Sequence, residues 1–157
     1  MIVKDVMMGT PAFCTPETNL ASAVEIMWNR NCGILPVVDA DEKVVGVVTD
    51  RDICIALGTR NRLPGEILVS EVALAKPFTC APENDVNTAL ATMKEAKVRR
   101  LPVVNPEGKL EGILSMDDVV RHSDAQVVGK LSPLTHDIVV ETLKMVYAPQ
   151  LPRAVAH

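Results

Sequence analysis

The chain has 157 residues, enough for one compact domain or two very small ones sharing a core, and 48% of them are apolar. Aromatics make up only 3%, so Val, Ile, Leu, Met and Ala must fill the interior. With 16 basic and 20 acidic residues, net −4 and no long like-charged run, the composition excludes nucleic acid as the main partner, because binding a phosphate backbone needs a basic face.

The first predicted element is a short strand near residues 12–14, followed by the polar helix start Pro16-Glu17-Thr18-Asn19. Leu20, Val24 and Met27 then recur at spacings of three and four, which is one helix face, and Cys32-Gly33 ends that helix. Residues 34–38 form an apolar, β-branched run. Pro36 inside it cannot donate to a ladder, which places the strand at a sheet edge. Asp39-Ala40-Asp41-Glu42 is a turn, and residues 44–48 are the partner strand of a hairpin. A second helix runs from Asp50 to about Leu57 and ends at Gly58, and residues 59–69 are a linker.

The same order then repeats 66 residues on. Leu35-Pro36-Val37-Val38 recurs as Leu101-Pro102-Val103-Val104, and without a gap Pro11 pairs with Pro77, Cys14 with Cys80, Met27 with Met93, Gly46 with Gly112 and Asp52 with Asp118. The second unit has a strand near residues 78–80, a helix start at Pro82-Glu83-Asn84-Asp85, and a helix face of Val86, Leu90 and Met93. Its strands are 101–104 and 110–114, around the turn Asn105-Pro106-Glu107-Gly108, and its last helix runs from Met116 to about His122. Each unit is βαββα. The ranges are 1–58 for the first repeat, 70–123 for the second and 124–157 for the tail. A further helix is predicted over about 135–147, bounded by Pro133 and Pro149, whose Ile138, Val139, Leu143 and Val146 would cover exposed sheet surface or a second subunit. A unit of about 55 residues is marginal alone, so the two should pack together about a pseudo-twofold axis. The fold class is α/β (α+β).

No apolar run approaches the roughly 18–20 residues that span a bilayer, and the start Met1-Ile2-Val3-Lys4-Asp5 lacks a signal core. Cys14, Cys32, Cys54 and Cys80 form no C-x-x-C pair, and His122, His136 and His157 have no ligand at metal spacing. The expectation is a cytoplasmic protein with reduced, buried thiols, no metal, no required cofactor and no membrane partner.

The strand-to-helix junctions Gly46-Val47-Val48-Thr49-Asp50-Arg51-Asp52 and Gly112-Ile113-Leu114-Ser115-Met116-Asp117-Asp118 carry the candidate chemistry. Thr49 and Ser115 are N-caps, with Asp52 and Asp118 completing a capping box against the positive helix end. A helix N-terminus is also an anion site, and a carboxylate one turn in can accept both hydroxyls of a ribose. Arg99 and Arg100 stand before the second proline strand, where the first repeat has only Gly33 and Ile34; Arg51, whose counterpart in the second repeat is Asp117, partly compensates. No nucleophile, base and orienting group come together, which speaks against an enzyme.

The repeated hydrophobic-Pro-Val-Val strand, turn and Gly-hydrophobic-hydrophobic-Ser/Thr-x-x-Asp resembles the CBS domain, named after cystathionine β-synthase, over residues 1–58 and 66–123. Two in tandem look like a CBS pair, or Bateman module. The resemblance implies a regulatory module that binds AMP, ADP, ATP or S-adenosylmethionine in clefts between the repeats. It implies ribose on Asp52 and Asp118, and phosphate beside Thr49, Ser115, Arg99 and Arg100, the tighter phosphate site being the one that holds Asp118. For the adenine, Thr15, Ile34 and Leu101 are candidates by position. Trp28, Phe13, Phe78 and Tyr147 are too scattered for a stacking platform, and Trp28 should pack on a helix. A homodimer and an effector protein are the expected partners. The alternative is a non-liganded dimerisation or scaffold module in which the Ser/Thr-x-x-Asp motifs are only caps.

Overall fold

The computed structural model describes residues 1–73, 75–124 and 132–149, so His157 and the far end of the tail lie outside the described residues. The first repeat comprises α1 (Val3–Val6), β1 (Met8–Gly9), α2 (Leu20–Arg30), β2 (Ile34–Val38), β3 (Val44–Thr49) and α3 (Asp50–Arg60). The second has α4 (Val86–Ala96), β4 (Arg100–Val104), β5 (Leu110–Ser115) and α5 (Met116–His122), and the tail adds α6 (His136–Val146). Two 3-10 turns, Pro64–Glu66 and Val69–Glu71, break up the linker. The fold is thus mixed α/β with two tandem repeats, as the sequence predicts.

Each hairpin is antiparallel, with Leu35 opposite Val48 and Leu101 opposite Leu114. The strands expected near 12–14 and 78–80 shrink to single parallel bridges, Cys14 to Val37 and Cys80 to Val103. Proline is the reason. Pro36 and Pro102 offer only their carbonyls, which accept the Cys14 and Cys80 N–H groups at 3.0 and 3.1 Å. Val38 and Val104 donate back at 2.8 and 2.9 Å, and without a proline N–H the ladder stops there.

Helix starts follow capping chemistry. Asn19 Oδ1 accepts the Ser22 N–H at 2.9 Å, and Asp85 Oδ1 accepts that of Asn87 at 2.8 Å. The predicted ends are corrected. The α2 helix closes at Asn31, in the left-handed region at φ 49°, not at Cys32-Gly33, and α4 closes likewise at Lys97, φ 52°. Gly58 lies inside α3, which runs on to a left-handed Asn61. Asparagine tolerates that conformation well enough to replace glycine as the terminator.

The repeats exchange their leading segments. Val3 and Val6 pack in the core of Val86, Leu90, Met93, Leu101 and Leu114, while Ile67 and Val69 pack with Leu20, Leu35 and Val48. The main chain repeats this symmetry: Val3 N–H donates to Asn84 O at 2.9 Å, and Val69 N–H to Thr18 O at 2.8 Å. Glycine makes the crossings possible. A Cβ on Gly46 would stand 3.1 Å from Ala73 O, and one on Gly112 would stand 2.8 Å from Met8 O. The pseudo-twofold axis passes between Lys43 and Lys109, which pair with each other and join the two sheets.

The tail helix covers helices of the second repeat rather than sheet. Val139 and Val146 are buried, with Ile138 and Leu143 half-buried, against α4 and α5. The sheet faces are already occupied by the repeats' own helices, so the exposed apolar surface was on the helices. Leu90 is 1% exposed under α6, whereas its partner by repeat, Val24, is 45% exposed. Trp28 is 84% exposed and packs on no helix, because the first repeat has no counterpart of α6 among the described residues.

Candidate functional site

Two clefts lie between the repeats and exchange under the pseudo-twofold. The Ser115 cleft, about 680 Å³, is lined by Thr10, Arg30 and Asn31 of the first repeat and by Ser115, Asp117, Asp118 and Arg121 of the second. The Thr49 cleft, about 770 Å³, is lined by Thr49, Asp50 and Arg51 of the first repeat and by Lys76, Phe78, Lys97 and Arg99 of the second. Ile34 and Arg100, equivalent under the repeat, stand at the axis and line both.

Each cleft therefore takes its helix N-terminus from one repeat and its pre-strand residues from the other. This corrects the expected grouping for Arg99, which lines only the Thr49 cleft, while Arg100 does line the cleft of Asp118. The Arg99 main chain stays beside its own repeat's α5, its carbonyl accepting the Met116 N–H at 3.0 Å, and its side chain lines the Thr49 cleft. The basic side chains then collect in one place. Arg51, Lys76, Lys97, Arg99 and Arg100 share the Thr49 cleft with a single carboxylate, Asp50. In the Ser115 cleft, Arg121 is ion-paired with Asp118, and Arg100 Nη2 lies 3.7 Å from Asp117.

The caps form as capping boxes. Thr49 Oγ1 accepts the Asp52 N–H at 3.2 Å, while Asp52 Oδ2 accepts the Thr49 N–H at 3.0 Å and hydroxyl at 2.6 Å. Ser115 and Asp118 repeat this with a 2.9 Å Ser115 N–H contact, and Asp118 Oδ1 additionally accepts from Arg121. Asp118 is buried and lines its cleft. Asp52 is half-buried behind Thr49 and lines neither, but its Oδ1 has no hydrogen-bond partner among the described residues.

Besides Asp52, two more sequence-predicted residues lie outside both clefts. Leu101 is fully buried in the second core, facing the opposite side of β4 from Arg100, as strand alternation requires. Thr15 closes a turn, its N–H donating to Thr18 Oγ1 at 3.0 Å. Two others were missed as a pair: Phe78 and Tyr147, distant in sequence, both line the Thr49 cleft. Arg99 Nη1 donates to the Tyr147 hydroxyl at 3.2 Å, and its guanidinium carbon lies 5.6 Å from the ring centroid. No sequence signal links them, since the contact spans the tail. Gly33 stands where the second repeat has Arg99, and a Cβ there would be 2.7 Å from Asp50 Oδ2.

Cys14 and Cys80 lie in the two cores, with burial pushing both thiols up to about 11. Among the described residues no three His, Cys, Asp or Glu side chains gather as a metal site, and no helix is long and apolar enough to cross a membrane.

The CBS domain profile matches residues 3–59 and 69–125, both repeats in full. The chain belongs to the CBS domain family. Among curated relatives of this CBS pair, a protein of Methanopyrus kandleri is 34% identical over 121 residues, 75% of this chain and 58% of that protein. The YlbB protein of Bacillus subtilis is 33% identical over 118 residues, 74% of this chain and 78% of its own. The inosine-5'-monophosphate dehydrogenase of Aquifex aeolicus matches at 29% identity but over only 23% of its length, through its CBS domains alone. The likeness carries none of that enzyme's chemistry. Among solved structures, CBSX2 in complex with AMP is 29% identical with a TM-score of 0.67, covering 76% of this chain and 93% of that one. The CBS domain pair of MJ0100, in complex with 5-methylthioadenosine and S-adenosyl-L-methionine, is 25% identical with a TM-score of 0.70, covering 77% of this chain and 94% of that one.

Proposed function

We propose that this CBS pair senses an adenosine-containing ligand, taking a phosphorylated one such as AMP, ADP or ATP in the Thr49 cleft. The observation that carries the reading is the gathering of five basic side chains and two aromatic rings there. Arginine suits phosphate, being permanently charged and able to donate two parallel hydrogen bonds. Arg51, Arg99 and Arg100 would hold the phosphate and Ile34 the base, while Asp52, which lies behind Thr49, would take the ribose hydroxyls on its Oδ1 only once Thr49 gives way. The Ser115 cleft is nearly charge-balanced and suits an uncharged or zwitterionic adenosyl ligand, with ribose on Asp118 once Arg121 moves aside. Complexes of CBSX2 with AMP and of the MJ0100 pair with adenosyl ligands support this class.

The protein acts in the cytoplasm as a homodimer that passes ligand occupancy to an effector protein. The exposed Val24, Trp28 and Ile55 on the uncovered helices of the first repeat support a subunit contact, and four unpaired thiols suit a reducing compartment. A second reading, a scaffold without ligand, draws support from the capping boxes, in which Asp52 and Asp118 already bond to Thr49 and Ser115. One experiment separates the two. AMP at about 100 times its dissociation constant should stabilise by about 2.7 kcal/mol, raising the melting temperature by roughly 5–10 °C, and GMP should do less. If no adenosine compound shifts the melt at millimolar concentration, the scaffold reading replaces this one.

A further inference from the structure

The two clefts are related by the repeat, and besides their exchanged side chains they differ at one corner in what packs there. In the Thr49 cleft the position equivalent to Gly33 carries Arg99, and α6 lays its last turn beside it. Val146 is buried in the second core, and the Tyr147 N–H donates to Leu143 O at 2.9 Å, which ties the residue to the helix end. The Tyr147 ring projects from that anchor and remains 60% exposed. It meets the Arg99 guanidinium both edge-on, through the 3.2 Å hydroxyl contact, and over its face at 5.6 Å. A guanidinium has five N–H donors, and the hydroxyl takes one, leaving enough for a bidentate phosphate contact. Neither Arg99 nor Tyr147 has a counterpart in the Ser115 cleft.

We propose that α6 is a working wall of the Thr49 cleft, with Tyr147 as a positioning residue that holds Arg99 for a nucleotide phosphate, so that phosphate affinity and the docking of α6 are coupled. The proposal rests on the ligand reading above. An unrestrained arginine must give up its rotamer freedom when it binds, and Tyr147 removes part of that cost in advance. Coupling is reciprocal: a phosphorylated ligand that engages Arg99 must in turn stabilise α6 against undocking. The tail thereby becomes the element that reports occupancy of this cleft and not of the other.

The test is calorimetric titration of the full chain with AMP and with adenosine, for the parent, Tyr147→Phe and Tyr147→Ala, with hydrogen exchange of the α6 amides. Tyr147→Ala should weaken AMP about three- to ten-fold and adenosine less than about two-fold. Tyr147→Phe, which keeps the ring over the guanidinium, should lie closer to the parent. Bound AMP should slow exchange across residues 136–146 in the parent, and adenosine should do so much less. Equal losses for the two ligands, unchanged AMP affinity in Tyr147→Ala, or α6 exchange indifferent to AMP would each overturn the coupling while leaving the ligand reading intact. Absence of AMP binding to the parent would overturn both.

Discussion

Asp52 and Asp118 occupy equivalent positions, yet the structure gives them different weight in holding the empty protein together. Asp118 is 5% exposed, accepts the Ser115 N–H at 2.9 Å and the Ser115 hydroxyl, and receives Arg121 on its other oxygen. Asp118→Asn leaves a neutral oxygen for the two serine donors. Weakening two charge-assisted bonds to neutral ones costs about 1 kcal/mol, and losing the negative charge at the helix start roughly another 0.3–1 kcal/mol. Arg121 is 70% exposed and can turn to solvent, so its ion pair adds only about 0–0.5 kcal/mol. The expected loss is about 2 kcal/mol. Asp52 makes the same two bonds to Thr49 but is half-buried, and its repeat carries Ile55 where Arg121 stands, so Asp52→Asn should cost about 1 kcal/mol. Urea titration and thermal melts of the ligand-free variants measure the difference. The Asp118→Asn melt should fall roughly 2–4 °C below that of Asp52→Asn. Equal losses, or a larger one for Asp52, would refute the argument that burial and the third partner separate the two caps.

Three further outcomes are expected. Lys97→Gly should stabilise the empty protein by roughly 1 kcal/mol, since Lys97 closes α4 in the left-handed region at φ 52°; an unchanged urea midpoint would contradict this. Gly112→Ala should destabilise by about 2–4 kcal/mol and Gly46→Ala by nearer 1 kcal/mol, because the first Cβ would be 2.6 Å from Met7 Sδ and 2.8 Å from Met8 O, and the second 3.1 Å from Ala73 O; similar unfolding midpoints for the two would count against the segment exchange. Stability should hold up to about pH 9 and fall between there and about pH 11, because unfolding frees the Cys14 and Cys80 protons at the ordinary thiol value of 9.0 while the folded chain keeps them until about 11. A flat urea midpoint through that window would show the thiols to be hydrated in the folded state.

Much of this protein was decided within short stretches of sequence. The hairpins of Leu35-Pro36-Val37-Val38 and Leu101-Pro102-Val103-Val104, the caps at Thr49 and Ser115, and the helix over 136–146 depend on alternation, capping and proline chemistry that act over a few residues, and the 66-residue repeat made each of them visible twice. Helix ends were less legible, because Asn31 and Lys97 reach the left-handed region that the sequence reading reserved for glycine. What only the tertiary structure decided is which halves face each other. The pseudo-twofold axis sends Val3 and Val69 into the opposite cores and brings the Arg99 side chain into the cleft at the helix start of the first repeat, and no local preference encodes that crossing. Tyr147 reaches Arg99 across 48 residues for the same reason: the contact follows from packing α6 on α4, which depends on the shapes of two helix faces rather than on any spacing along the chain.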